Sequence, residues 1–345
     1  MSIQKQQNLT PFASGLGFCQ DRDGREMAVA VVKATYRFDA RGRIEPAPPD
    51  EQLPVFLADQ HHGDPATTSV RYASDIVPTK RGTDVAVVGH AYSRGERRVE
   101  VGFGIGAIRK LLSVCGPRVW LTGFTGGITR PVAFEKMPVR YELAFGGVYR
   151  DPKRGVSAHP ENPVGVGFGK QLGDEAPLPS VEYRDSRFKR PGKDRRPAGM
   201  GFIPPGWRQR ARFAGTFDAR WEKTRRPLLP EDLDERFYNA VPEDQVLDPR
   251  LAGGERLALL RLHPQAEMVP LDLPRLAFLA TFRVRDAQHP LPMVADTLLV
   301  EPDAGRFAIS YRASFPIGDD GLRLRCVEFR ALSDAHEPQA AACSR

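Results

Sequence analysis

The stretch Ala28-Val-Ala30-Val-Val32-Lys33-Ala34-Thr35-Tyr36-Arg37-Phe38 decides how the rest of the chain is read. Its even positions, Ala28, Ala30, Val32, Ala34, Tyr36 and Phe38, are all apolar, whereas the odd positions end in Lys33, Thr35 and Arg37. Successive side chains of a strand point to opposite faces, so this period of two predicts a half-buried β-strand. The same pattern returns on both sides. Val99, Val101 and Phe103 alternate with Arg98, Glu100 and Gly102, residues 107–114 resume it after a glycine-rich turn, and 118–121 follow. With a strand at 84–91 this reads as a meander. The C-terminal third adds turn-bounded strands at 256–262, 276–285, 297–300, 306–313 and 322–330.

Composition agrees with a β reading. Of 345 residues, 41% are hydrophobic and 27% charged, enough apolar surface to repay the ordering of one large or two modest domains. The 32 glycines and 31 prolines argue for many turns and against a helical bundle. Apolar runs fall well short of the roughly 20 residues that cross a bilayer. The polar start MSIQKQQNLT lacks the apolar centre of a signal peptide, so the expected location is cytoplasmic and no membrane is expected. Cys19, Cys115, Cys326 and Cys343 are far apart and form no metal-ligand spacing, so reduced thiols are expected.

Charge is concentrated. Residues 184–226 carry fourteen Lys/Arg against four Asp/Glu, a balance of +10, whereas the whole chain has +7. Such a segment suits phosphate, an acidic protein surface or the acidic remainder of its own chain. Without a helix-turn-helix or zinc-finger pattern it does not read as a nucleic-acid binder. Its first half, with Arg187, Lys189, Arg190, Lys193, Arg195 and Arg196, has few large apolar groups and is expected to be an exposed basic patch. From Phe202 onward it carries aromatics and is expected to be docked.

Residues 145–230 hold 23 of the Gly and Pro residues and read as irregular chain. Phe202, Trp207, Phe213, Phe217 and Trp221 are too many aromatics for a solvated linker, so the segment is expected to wrap over the sheets in ordered form. After Pro230, the acids Glu231, Asp232 and Asp234 and the spacing of Leu233, Phe237 and Ala240 predict one short helix ending at Pro242.

Motifs of catalysis are weak. Gly102-Phe-Gly104-Ile-Gly106 lacks the third glycine of a dinucleotide loop and reads as a hairpin turn. His61-His62-Gly63-Asp64 places neighbouring side chains on opposite faces, unsuited to one metal ion. Asp75, Asp84, Glu142 and Asp218 lie near predicted strand ends, and nothing in their spacing selects an acid/base pair, so caps and ion-pair partners are expected. Gly-x-Ser-x-Gly is missing. No catalytic residue, cofactor or metal is assigned. Denser information sits where arginine, aromatic and carboxylate mix, at Arg118 and Trp120, at Tyr141 and Glu142, at Trp207 and Arg210, and at Asp218 and Trp221. Such groups anchor protein interfaces, and the same groups form internal cation–π and ion-pair networks; both readings stay open.

These clusters lie within a longer series of ordered blocks. They are Val32-Lys33-Ala34-Thr35-Tyr36, Ser74-Asp75-Ile-Val-Pro78-Thr-Lys80-Arg-Gly-Thr83-Asp84, Gly116-Pro-Arg118-Val-Trp120, Pro131-Val-Ala-Phe134-Glu-Lys-Met137-Pro138, Tyr141-Glu142-Leu-Ala-Phe145-Gly146-Gly147, Asn162-Pro163-Val-Gly165-Val-Gly167-Phe168, Leu178-Pro179, Pro197-Ala198-Gly199, Ala214-Gly215-Thr216-Phe217-Asp218, Arg226-Pro227-Leu228-Leu229-Pro230 and Asn239-Ala240-Val-Pro242-Glu-Asp244-Gln245. In this order, over residues 26–330, the chain resembles the family called domain of unknown function 2169, found beside type VI secretion genes. The resemblance implies a cytoplasmic effector adaptor or chaperone, not itself secreted, that binds a toxic effector and helps to load it onto the spike through VgrG or a PAAR-like tip.

The expected architecture is mainly β, with antiparallel sheets, sandwich- or barrel-like, a long irregular Gly/Pro-rich central segment and few short helices. Residues 1–144 and 256–332 are the β-rich regions, 145–255 the basic segment wrapping them with its short helix, and 333–345 a disordered tail. The expected function is a non-catalytic adaptor; the alternatives are a carbohydrate- or cell-wall-active enzyme using a carboxylate pair, and a nucleic-acid binder.

Overall fold

The computed structural model describes residues 5–317 and 324–332, apart from 125, 152 and 154. It is mainly β, built from multiple antiparallel sheets, none of which closes into a barrel among the described residues. The strand expected at 28–38 is Glu26–Phe38. It lies second in a seven-stranded sheet in the order Ala13–Gln20, Glu26–Phe38, Arg306–Pro316, Val294–Glu301, Thr83–Val87 and Val246–Leu247, with Ile44–Pro46 added to the end of Glu26–Phe38. Neighbours are antiparallel except Val294–Glu301 with Thr83–Val87. The two ends of the chain therefore share a sheet, with Ala28 opposite Phe315 and Arg37 opposite Arg306.

A five-stranded antiparallel sheet follows the order Val181–Glu182, Ile108–Cys115, Arg98–Ile105, Arg256–Leu260 and Met268–Asp272. The glycine run at 102–106 is the hairpin expected of it: Ile105 pairs with Ile108, and Gly106 turns at a φ of 54°, a region a side chain disfavours. A third sheet of four strands runs Lys5–Asn8, Leu324–Ala331, Phe278–Val284 and Ala287–Pro292. One continuous apolar core joins the three sheets through Ala30, Val32, Phe103, Leu112, Leu257, Val269, Phe282, Phe307 and Phe329.

Two expectations need correction. The 26–38 strand is not half-buried, because Lys33 and Thr35, assigned to a wet face, are 2% and 0% exposed. That face is roofed by irregular chain, whose Leu53, Phe56, Val70, Tyr72, Phe202, Ala240 and Val241 cluster with Ala86, Leu299 and Ala308 of the sheet. Alternation reports which side chains are polar; whether the polar side meets water depends on distant loops that the pattern does not encode. The helix expected after Pro230 is only a 3₁₀ turn, Glu235–Tyr238, capped by the Asp234 carboxylate accepting from the Arg236 N–H. A run this short does not repay helix nucleation, and its expected apolar face is divided, since Leu233 and Ala240 are buried whereas Phe237 is half-buried. Among the described residues the α-helices are Arg208–Ala211 and Ala219–Thr224.

Among the described residues of 145–230 are short ladders, including Val148–Asp151 with Gly155–Ala158, and Phe145–Gly146 with Val166–Gly167. Cys19, Cys115 and Cys326 are free thiols. Cys343 and the 333–345 tail lie outside the described residues. No helix among the described residues is long and apolar enough to cross a membrane.

Candidate functional site

The roofed face of the central sheet holds a dry polar network built by the blocks at 32–36, 74–84 and 239–245. The Asp75 carboxylate pairs with the Lys33 ammonium, accepts from Ser310 Oγ at 2.9 Å, and accepts from the Phe56 N–H at 2.7 Å. Lys33 Nζ also stands 3.9 Å from the Phe56 ring centroid. Burial drives the Lys33 pKa down, and the Asp75 charge pushes it back up. Lys80 Nζ lies 2.8 Å from Asp84 Oδ2 and donates to Thr297 Oγ1 at 2.7 Å. Asp84 in turn accepts from Asn239 Nδ2 at 2.7 Å and from the Ala240 N–H at 2.8 Å. Next to them Arg312 pairs with Asp296, and Gln245 Nε2 donates at 2.8 Å to the carbonyls of Val85 and Met200.

Lys33, Lys80, Arg312, Asp75, Asp84 and Asp296 are each at most 5% exposed. Three cations face three anions. A buried charge costs several kcal/mol in real proteins unless it is paired and hydrogen-bonded, so near-complete pairing is what makes the arrangement tolerable. The cavity among Lys33, Phe56, Tyr72, Asp75, Lys80 and Ser310 measures about 10 Å³, room for one water and no substrate. Its chemistry is positional: it ties three separate loops to the sheet.

A second cluster lies on the five-stranded sheet. Lys110, 2% exposed, donates to Tyr183 Oη at 2.6 Å and to the Asp244 oxygens at 2.8 and 2.9 Å. Arg196 reaches the same carboxylate at 2.7 Å while its guanidinium stacks 3.8 Å from the Tyr183 ring centroid. Burial pulls the Lys110 pKa down to about 8 against the pull of Asp244, and pushes that of Tyr183 up to about 12. The unfolded chain, with Lys110 near its ordinary value, holds one more proton than the folded chain between about pH 8 and 10.5, so this group makes stability rise with pH across that window. Urea unfolding at pH 8 and pH 10 should show that rise in the native chain and a smaller one in Lys110→Met; equal slopes would contradict it.

Glu182 organises a third cluster. Its oxygens lie 2.7 Å from Arg118 Nη2 and 3.2 Å from Arg98 Nη1, and it accepts from the Phe188 N–H at 2.5 Å. Arg118 also donates to the Pro179 carbonyl at 2.9 Å, and Ser113 Oγ accepts from Arg98 and Arg187 at 2.9 and 3.2 Å.

The residues expected from the sequence to carry function are distributed over separate places. Arg118 is buried on Glu182. Trp207, also buried, meets the buried Tyr141 ring edge-on at 5.2 Å, and Arg210 donates to the carbonyls of Ile203 at 2.9 Å and Phe237 at 3.0 Å. Glu142 accepts from the Ser69 N–H and Oγ at 2.8 and 2.9 Å. Asp218 caps the Ala219–Thr224 helix by accepting from the Trp221 N–H at 2.8 Å. The three tryptophans are not equally enclosed: Trp120 and Trp221 are half-buried, and Phe217 beside Trp221 is 55% exposed. The docked half of the basic segment is thus docked at Phe202 and Trp207 and open at Phe217.

The exposed basic patch also contracts. Lys189, Arg190 and Lys193 are exposed. Arg187 and Arg195 are half-buried, Arg187 donating to Ser113 Oγ, and Arg196 is exposed yet committed to Asp244 and the Tyr183 ring. At 61–64, His61 Nδ1 lies 2.8 Å from the Thr68 carbonyl, burial lowers the His62 pKa to about 4, and Asp64 Oδ1 accepts from the Ala66 N–H. No group of three or more His, Cys, Asp or Glu among the described residues is arranged to hold a metal.

The family model described as "Uncharacterized protein conserved in bacteria (DUF2169)" matches residues 23–312, most of the chain, and the chain belongs to that family. No curated protein and no solved structure matches it.

Proposed function

We propose that the chain is a non-catalytic adaptor that binds a type VI secretion effector and helps to load it onto a VgrG or PAAR-like spike, working in the cytoplasm. The secretion context rests on the ordered blocks and their resemblance. The observation that carries the binding part is the spending of the chain's chemistry inward. Asp75 and Asp84 neutralise buried lysines, Glu142 holds Ser69, and Asp218 caps a helix, so each carboxylate weighed for acid/base work has a structural duty. Among the groups that face outward on the wrapped segment are the cations Lys189, Arg190 and Lys193 and the aromatic edge at Phe217, groups suited to an acidic protein face.

Co-purification from the native host should bring down an effector or spike protein. Surface plasmon resonance with that partner should then show association slowing as salt rises. Reversing Lys189, Arg190 and Lys193 to Glu should slow association by about tenfold with unchanged thermal unfolding, since exposed charges act chiefly on encounter. Salt-independent association, or normal association of the reversed variant, would remove the trio from the contact.

A further inference from the structure

The open edges of the sheets are not alike. Ala287–Pro292 carries Pro290 and Pro292, and Met268–Asp272 carries Pro270 and ends in Asp272, the usual devices that keep an edge from accepting another strand. Ala13–Gln20, the edge of the seven-stranded sheet, is Ala-Ser-Gly-Leu-Gly-Phe-Cys-Gln, eight residues without proline or charge. All eight pair with Glu26–Lys33 on the inner side, so alternate N–H and C=O groups point outward.

Beside this edge runs an open groove of about 750 Å³, walled by Gln6–Leu16 residues on one side and by Pro49, Gln52, Pro54, Val55 and Leu57 on the other. None of its lining residues is charged, in a chain with 27% charged residues. Leu57 in its wall is 66% exposed, and Phe18, further along the same edge strand, is 48% exposed. A charged segment would lose its hydration here without gaining a partner, whereas an uncharged extended segment gains both backbone bonds and apolar contact.

We infer that Ala13–Phe18 accepts an uncharged, extended segment of a protein partner as an added β-strand, with apolar side chains of that segment alternating into the Leu57 groove. The inference deepens the adaptor reading and rests on it for the partner's identity, and the mode of docking is tested separately.

The probe is an acetylated, amidated, fluorescein-labelled peptide Thr-Val-Ser-Val-Thr-Val-Ser, titrated with the full chain by fluorescence anisotropy. A second peptide carries proline at its central position, where it removes a ladder donor. Saturable binding is expected for the first and not the second, together with slowed hydrogen exchange at the Ala13–Phe18 amides. Phe18→Lys and Leu57→Glu, both at exposed side chains, should weaken binding by about tenfold or more, in line with the way charges guard natural edges. Thermal unfolding checks that both variants fold, and Ser14→Lys replaces either one that does not.

No saturation, equal binding of the proline peptide, or protection elsewhere would overturn the inference. Protection of the same amides by rising protein concentration alone would overturn it in favour of a second copy of this chain. Loss of peptide docking with retention of the co-purified partner would sink strand addition while leaving the adaptor reading standing; absence of any partner would sink the adaptor reading alone.

Discussion

Asp75→Ala is expected to destabilise the fold by ~3–5 kcal/mol, the usual cost of removing one member of a buried ion pair. The loss has three parts. Lys33, 2% exposed beside the Phe56 ring, loses the carboxylate that offsets its desolvation, and stranding its ammonium or giving up its proton costs free energy either way. The Phe56 N–H and Ser310 hydroxyl each lose an acceptor in the same dry space. The cavity beside them, about 10 Å³, admits one water and cannot rehydrate all three. Asp75→Asn should cost less, because an amide oxygen still accepts from Phe56 or Ser310 although it leaves Lys33 uncompensated. Lys33→Met combined with Asp75→Ala should recover much of the loss by removing the stranded charge, and the double-mutant cycle isolates the pair. Urea unfolding of the four proteins is the measurement. A cost below about 1 kcal/mol for Asp75→Ala would show that water reaches the pair, as at exposed ion pairs.

That network also marks where the sequence was legible and where it was not. Period-two apolarity located the strands because a β pattern is local: Val99, Val101 and Phe103 announce Arg98–Ile105, and Leu324 and Cys326 lie in Leu324–Ala331. Ala13–Gln20, Met268–Asp272 and Ala287–Pro292 escaped, the first through its glycines and the others through prolines that strand patterns count against. The block from Ser74 to Asp84 was visible as a block, and its carboxylates were expected to form caps or ion pairs. Its partner Lys33 was not visible, since it lies 42 residues from Asp75 on a face that alternation assigned to water. A lysine flanked by Val32 and Ala34 in the middle of a thirteen-residue strand, far from either end, is the signal that was available. The arginines of the wrapped segment misled in the opposite way: a count of charge says nothing about which guanidinium finds Ser113, Asp244 or a ring.

Trp207→Ala should cost a similar ~3–5 kcal/mol, the range for emptying a large aromatic site in a core. Trp207 is 6% exposed, opens the Arg208–Ala211 helix, and forms with Tyr141 and Ile203 a small cluster separate from the main core. Small clusters have few neighbours to close a vacated volume. Gly199 also packs close to the Tyr141 ring, where an added side-chain carbon would come within 2.4 Å of it, so the ring has no room to move that way. The edge-on contact at 5.2 Å adds the ~0.5–1.5 kcal/mol that aromatic pairs contribute beyond area. The helix itself is one turn, held besides by the Arg210 bonds to Ile203 and Phe237 and the Arg208 N–H bond to the Pro160 carbonyl, so loss of the indole should loosen the wrapped segment from 204 to 238 first. Trp221, half-buried and tied through its indole N–H to the Leu228 carbonyl at 2.9 Å, should cost only about 1–2 kcal/mol on the same substitution, one hydrogen bond plus partial burial. Guanidinium unfolding compares the two, and hydrogen exchange locates the loosening. If Trp207→Ala unfolds like the native chain yet no longer retains the co-purified partner, its indole belongs to the partner contact and not to the fold.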